Sequence, residues 1–335
     1  MKITVLSGGV GGARFLRGLR AHVQDHLPGS TITAIANTGD DMWLMGLRIA
    51  PDLDSIMYTL AGQNDEVRGW GRIGETERVS GELRAYGVGW PWFTLGDLDL
   101  GTHITRSHLL RSGLSLAEAT DQITARWELG VHLIPATNDE VETHVVVADE
   151  ESATERELHF QEWWTRYRAA LPARAFVQHG VTTSTAAPGV IEAIADADVV
   201  LIAPSNPVVS IGTILGIPGI CDAVTATAAP VVGISPIIGG AVVRGMADAC
   251  LTAIGVETSA EAVARHYGAR GASGVLDAWL VADEDAAALP GIEALGIRSA
   301  AAPLWMRDVP TSAAIAAAAL DLGRDLALDL ALGGR

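Results

Sequence analysis

Four aspartates sit close together in the first sixth of the chain, in the stretches Gly39-Asp40-Asp41-Met42-Trp43 and Pro51-Asp52-Leu53-Asp54. Clustered carboxylates hold a hard cation such as Mg²⁺ or accept a proton from a hydroxyl. The competing reading is ordinary helix capping, because Asp52 and Asp54 stand where a helix starts. Ahead of them runs Ser7-Gly8-Gly9-Val10-Gly11-Gly12-Ala13-Arg14. Its glycines let the backbone turn sharply and approach a ligand, and the helix that follows offers free N–H groups and a positive dipole end to phosphate. The alternative is a tight strand-to-helix turn without a ligand. A third polar stretch, Leu95 to Ser107, includes Asp97, Asp99, His103 and Arg106 and is expected as a ligand-side loop. Arg106 is the cation best suited to a phosphate or carboxylate, whereas a lone His103 is more often structural.

The elements that position these groups follow from the pattern. Lys2 to Leu6 reads as a strand, Ala13 to Val23 as a helix and Thr31 to Asn37 as a second strand, which makes a βαβ unit. Ligands of open α/β sheets bind beyond the carboxyl ends of the strands, where these loops lie. Asp198 to Ala203 and Val231 to Ile234 read as buried parallel strands. They feed the polar loops Pro204-Ser205-Asn206-Pro207 and Ser235-Pro236-Ile237-Ile238-Gly239-Gly240. Ser115-Leu116-Ala117-Glu118 is a capping box, and the Ala-rich tail after Pro310 is a helix. Three strand-like runs, Val131 to Pro135, Thr143 to Ala148 and Glu157 to Phe160, end in a helix at Trp163-Trp164. The polar turn Asp149-Glu150-Glu151-Ser152 separates the last two. The fold class is therefore α/β, a Rossmann-like parallel sheet with helices on both faces. The core spans residues 1–130 and 175–335, with a smaller β-rich and helical insertion over 131–174.

Composition narrows the function further. Of the 335 residues, 49% are hydrophobic and 19% charged, enough for a sizeable core. The net charge of −17 disfavours nucleic acid and anionic membranes as partners. Two cysteines give neither a disulfide framework nor a Cys-based zinc site. No signal-peptide pattern opens the chain, and no uncharged run reaches the ~18 apolar residues of a membrane span, so a soluble cytoplasmic protein is expected. A dehydrogenase is disfavoured because the dinucleotide fingerprint, counted from Gly9, puts Arg14 at its last glycine. An ATPase is disfavoured because no Gly-Lys-Ser/Thr follows the loop. Nine tryptophans are many for this length; Trp43, Trp70, Trp90 and Trp92 crowd the first third, where they stack flat substrates or pack the core.

Taken in order, the glycine loop, Gly39-Asp40-Asp41, Pro51-Asp52-Leu53-Asp54, Thr102-His103-Ile104-Thr105-Arg106-Ser107, Pro204-Ser205-Asn206-Pro207 and Ser235-Pro236-Ile237-Ile238 resemble the 2-phospho-L-lactate transferase family. With His159-Phe160-Gln161-Glu162-Trp163-Trp164 they resemble its bacterial, phosphoenolpyruvate-transferring form. The resemblance implies a Mg²⁺-dependent phosphotransfer. A guanosine diphosphate-linked enolpyruvate or lactate gives its phospho-acid part to the ribityl hydroxyl of the deazaflavin Fo, GMP leaves, and a precursor of coenzyme F-420 forms. Within it, Asp40 and Asp54 are assigned to metal binding or to the Fo hydroxyl. Gly8, Gly9, Gly11, Gly12, Asp41, Asp52, His103, Arg106, Ser205 and Asn206 are assigned to substrate binding. The family also implies a homodimer. One departure is that Leu98 and Leu100 stand where many members carry arginines. The runner-up is a nucleotide-sugar-binding regulator of the gluconeogenesis-factor type.

Overall fold

The computed structural model describes residues 1–148 and 154–333. The turn expected at 149–152 lies outside them. The chain opens with β1 (Lys2–Ser7), α1 (Gly9–His26) and β2 (Thr31–Ala36). The hairpin β3 (Met42–Leu44) and β4 (Leu47–Ile49) comes next, followed by α2 (Pro51–Leu60), α3 (Arg78–Ala85), α4 (Asp97–Arg111), α5 (Leu116–Thr124) and β5 (His132–Pro135). A three-stranded antiparallel sheet is then built from β6 (Glu142–Ala148), β7 (Glu155–His159) and β8 (Ala173–His179), in the order β7-β6-β8. The second half supplies β9 (Val199–Ile202), β10 (Val231–Ile234), a small hairpin β11 (Ile237–Ile238) and β12 (Ala241–Val242), then β13 (Ala278–Ala282) and β14 (Arg298–Ala302). The helix Val309–Gly333 closes the described chain.

Seven strands form the central sheet in the order β14-β13-β10-β9-β1-β2-β5, all parallel. The expected α/β fold is what the chain adopts. Strand alternation divides the core into two layers. Ile3, Val5, Ala34 and Leu201 pack with Phe15, Leu16 and Leu19 of α1, Ile56 of α2 and Ile315 of the last helix. Leu6, Ile35, Val200 and Ile202 pack on the other face with Ile194, Ile220, Val224 and Val263. The sequence runs outward from β1 to β2 and β5, then returns to β9 on the other side of β1. That reversal places a crevice between the loops after β1 and β9, the position where open α/β sheets take ligands.

Two expected boundaries move. Val131–Pro135 was expected in the insertion, yet β5 pairs with β2 at the edge of the central sheet. The insertion's last strand also runs to His179, beyond residue 174. A four-residue strand such as His-Leu-Ile-Pro carries no mark of which sheet it joins, because pairing partner is a tertiary choice. The Trp163-Trp164 segment is a single π-helical turn, Glu162–Arg166, with Trp163 buried. Among the described residues no single helix is long and apolar enough to cross a membrane.

Candidate active site at the sheet's switch point

The glycine loop and the loop after β9 are tied together at the crevice. Ser205 Oγ accepts from Gly8 N at 3.0 Å and donates to Gly8 O at 2.7 Å. Three of the four glycines are explained by close packing of the chain on itself. A Cβ on Gly11 would stand 2.6 Å from Pro204 O. One on Gly12 would collide with Ser7 Oγ and lie 2.8 Å from Ser205 Oγ, and one on Gly8 would lie 2.7 Å from Asp52 Oδ2. Gly9 adopts φ +62°, the left-handed region where a side chain is strained. Asn206 caps the turn that follows β9, its Oδ1 accepting from Val208 N and Val209 N. Ser205 and Asn206 therefore shape the crevice with their side-chain atoms already engaged.

Neither aspartate of α2's first turn caps that helix. Ala50 stands at the N-cap, with no side-chain hydrogen bond there. Asp52 instead reaches across to α1: it accepts from the Gly9 backbone and from Asn37 Nδ2 at 2.9 Å. A carboxylate thus occupies the positive end of α1. Asn37 also orients the acidic loop, its Oδ1 accepting from Gly39 N at 2.9 Å. Asp40 and Asp41 are buried, and each has one oxygen, Oδ1, without a hydrogen-bond partner. Burial first, then the neighbouring Asp52 and Asp41, push the Asp40 carboxyl well above the usual range. Burial pushes Asp41 up to about 7 against the pull of Arg48 and Arg106, and pushes Asp52 up to about 6. These shifts have one cause: carboxylates are crowded out of water with too little positive charge beside them.

Beneath this group lies a compensated network. Arg106 donates to both oxygens of Asp54, from Nη1 at 3.0 Å and from Nη2. His103 Nδ1 lies 3.5 Å from Asp54 Oδ2, and its Nε2 lies 3.3 Å from Asp99 Oδ2. Tyr58 donates to Asp99 Oδ1 at 2.7 Å. Arg48 Nη2 donates to Asp41 Oδ2 at 3.4 Å and joins the two groups. Burial works against the charge on Arg106, but Asp54 and Asp41 outweigh it and raise its pKa. Asp54, Asp99 and His103 offer ligand atoms within 4.8 Å of one another. The Arg106 guanidinium is the cation lodged against them.

The stretch Leu95 to Ser107 is thus not a loop. It enters α4 at Asp97, and Arg106 is only 2% exposed. Its buried stripe is Asp99, His103, Arg106 and Ser107, at i, i+4, i+7 and i+8. That is helical spacing written in polar residues, which a search for apolar periodicity passes over. Asn37, Arg48, Tyr58 and Asp99 went unassigned. The available signal was spacing, since Asp99 stands four residues before His103 and Tyr58 four after Asp54 on the same helices. Beside His159, whose ring centroid lies 6.0 Å from that of Trp90, Trp90 and Trp92 stack at 4.7 Å between centroids and line a cleft with Pro91, Glu162 and Arg166. Trp43 and Trp70 are 37% and 43% exposed, so neither packs the core.

Known proteins share this architecture. The sequence profile of the family described as 2-phospho-L-lactate transferase CofD matches residues 3–292. A phosphoenolpyruvate transferase of Thermobifida fusca (strain YX) is 56% identical over 331 residues, covering 97% of this chain and 99% of that protein. One from Nocardia farcinica (strain IFM 10152) is 54% identical over 322 residues, covering 96% and 94%. The solved structure of protein BH3568 from Bacillus halodurans superposes with a TM-score of 0.61 at 19% identity, covering 95% of this chain and 99% of that one. A second structure of it, as a member of the UPF0052 family, gives 0.62 at 18%. That likeness concerns the fold alone. Full-length relatives more than half identical, together with a family match across most of the sequence, establish that the chain belongs to the 2-phospho-L-lactate transferase family.

Proposed function

We propose that this protein transfers a phosphoenolpyruvyl group from a guanosine diphosphate-linked donor to the ribityl hydroxyl of the deazaflavin Fo, with GMP leaving. The 2-phospholactyl group is the second candidate cargo. The names carried by the relatives support the enolpyruvyl donor. The observation that carries the reading is local: two buried carboxylate oxygens without partners, Asp40 Oδ1 and Asp41 Oδ1, lie on the loop that follows β2, next to the glycine loop at the sheet's switch point. They suit a hard divalent cation, which takes oxygen ligands and relieves crowded carboxylates. Asp40 and Asp41 would hold Mg²⁺, which when bound supplies positive charge to the diphosphate. Asp54, also expected as a metal ligand, has both oxygens on Arg106.

In the proposed reaction the acceptor hydroxyl oxygen attacks the phosphorus that bears the acid. A new P–O bond forms, the bond from that phosphorus to the bridging oxygen breaks, and GMP departs with that oxygen. The proton of the hydroxyl passes to a carboxylate oxygen of the Asp40–Asp41 pair that the cation would leave free. The α1 N-terminus orients the donor phosphates. Asp52 sits on that same terminus, so an anion there needs a cation beside it. The Trp90–Trp92 stack offers a flat face for the ring system of the acceptor. The test is GMP release with Fo and each donor, with the product identified by mass. Release that requires Fo, and a product heavier by the phosphoenolpyruvyl group, is expected. Nucleotide binding without GMP release from either donor would replace this reading with a regulatory one.

A further inference from the structure

Next to the acidic loop, where Thr143 N donates to Gly39 O at 2.7 Å, the small antiparallel sheet gathers imidazoles and carboxylates on one face. Period-two alternation turns Thr143, Val145 and Val147 of β6 inward and leaves Glu142 and His144 half-buried on the other side. Register brings their counterparts alongside: His144 pairs with His159 of β7, and Glu142 with His179 of β8. Glu157 lies two residues before His159 and shares its face. His179 Nε2 is 2.7 Å from Glu157 Oε2, and His144 Nδ1 is 3.8 Å from the same oxygen. Ligand atoms of His144, Glu157 and His179 all fall within 4.8 Å of one another.

We propose that His144, His179 and Glu157 form a binding site for a borderline divalent transition-metal ion of the Zn²⁺, Co²⁺ or Ni²⁺ class, separate from the Mg²⁺ site proposed above. Two imidazoles and one carboxylate match the preference of these ions, whereas Mg²⁺ favours oxygen alone. The geometry needs little change. Bonds of about 2.0–2.1 Å to a tetrahedral ion set ligand atoms roughly 3.4 Å apart, between the two separations found. The surroundings are those of a metal site as well. Glu142 Oε2 stands 3.5 Å from His144 Nε2, the ring nitrogen that faces away from Glu157, as a supporting carboxylate does behind a ligating histidine. His159 is nine-tenths buried, its ring centroid is 5.5 Å from that of His144, and its Nε2 has no hydrogen-bond partner. Side chains of His179 and Glu157 are 51% and 44% exposed, which leaves the ion an entry path.

The experiment titrates Co²⁺ into the full, untagged chain and follows its visible ligand-field absorption. One saturating equivalent is expected, bleached by stoichiometric Zn²⁺ and indifferent to a large excess of Mg²⁺. His144→Ala, His179→Gln and Glu157→Gln should each weaken Co²⁺ binding at least about tenfold. His132→Ala, which alters an exposed histidine beside Asp121, should leave it unchanged. His179 and Glu157 lie at the surface, so their variants should keep the wild-type melting temperature without metal. Absence of saturable uptake, displacement by Mg²⁺ at concentrations comparable to Zn²⁺, or unchanged uptake in the His144→Ala/His179→Gln double variant would overturn the proposal.

Discussion

Arg106 and Asp54 form a buried pair, with His103 beside Asp54 and Asp41 as a second anion near Arg106. Removing one member strands the other away from water, which costs about 3–5 kcal/mol. Arg106→Ala and Asp54→Asn should therefore both lower the denaturation midpoint as well as GMP release. The double variant Arg106→Met/Asp54→Leu leaves no stranded charge and should lose less stability than the two single variants together. If the double variant also recovers transfer, the pair serves the fold alone; if transfer stays low, at least one of the two side chains serves the reaction. The upper carboxylates make a different prediction. Asp41 at about 7 and Asp52 at about 6 are raised above the unfolded value of roughly 3.9. Between those values the folded chain holds protons that the unfolded chain has lost, so without a cation these groups make stability fall as pH rises from about 4 to 7. A bound cation removes that cost by favouring the ionised forms. Mg²⁺ should then raise the melting temperature more at pH 8 than at pH 5, and Asp41→Asn should shrink the difference. An equal Mg²⁺ shift at both pH values would place the ion elsewhere.

At the scale of elements, the β1–α1–β2 unit was legible because apolar period, glycine punctuation and strand length all agree there. Agreement failed at α4, whose buried face is polar, and at β5, whose four residues suit either sheet. β13 carried a usable signal, an apolar Ala278–Ala282 run between Asp277 and Asp283, but β14 reads Arg-Ser-Ala-Ala-Ala and has no β-branched residue to mark it. The glycine loop was recognised for a partial reason. Its spacing announced a close approach, and the nearest neighbours prove to be Pro204, Ser205 and Ser7. This gives a test. Gly11→Ala would put a methyl 2.6 Å from a backbone carbonyl that cannot rotate away. It should separate the β1 and β9 loops, cost about 1–3 kcal/mol of stability and weaken nucleotide binding. Gly101→Ala on α4 faces open space and should be neutral or slightly stabilising, as Gly to Ala is in a helix. If Gly11→Ala matches Gly101→Ala in nucleotide binding and denaturation midpoint, the packed crevice is not what the glycines maintain.

Across the whole molecule the electrostatic problem posed by the proposed donor is to bind a diphosphate with a chain of net charge −17. The sheet topology offers a partial answer, the amino end of α1 at the switch point, yet Asp52 already occupies it. The strongest buried cation near the crevice, Arg106, is committed to Asp54. What remains for an anionic nucleotide is backbone N–H groups, Arg14 of α1 with Arg244 near it, and a cation brought in with the ligand, so nucleotide and Mg²⁺ should stabilise the fold more together than apart. Base identity then separates the proposed donor from generic phosphate binding. GDP with Mg²⁺ at about 100 times its dissociation constant should add roughly 2.7 kcal/mol to folding. ADP at the same concentration should add clearly less, because the proposed guanosine-linked donor needs contacts to the guanine edge. Thermal melts with GDP and ADP, each with Mg²⁺ and with chelator, read both effects. Equal shifts for the two bases would remove the guanosine donor while leaving the fold assignment standing. A full GDP shift in chelator would show that the α1 terminus takes the diphosphate unaided, and that Asp52 yields its place by taking up a proton rather than by sharing a cation.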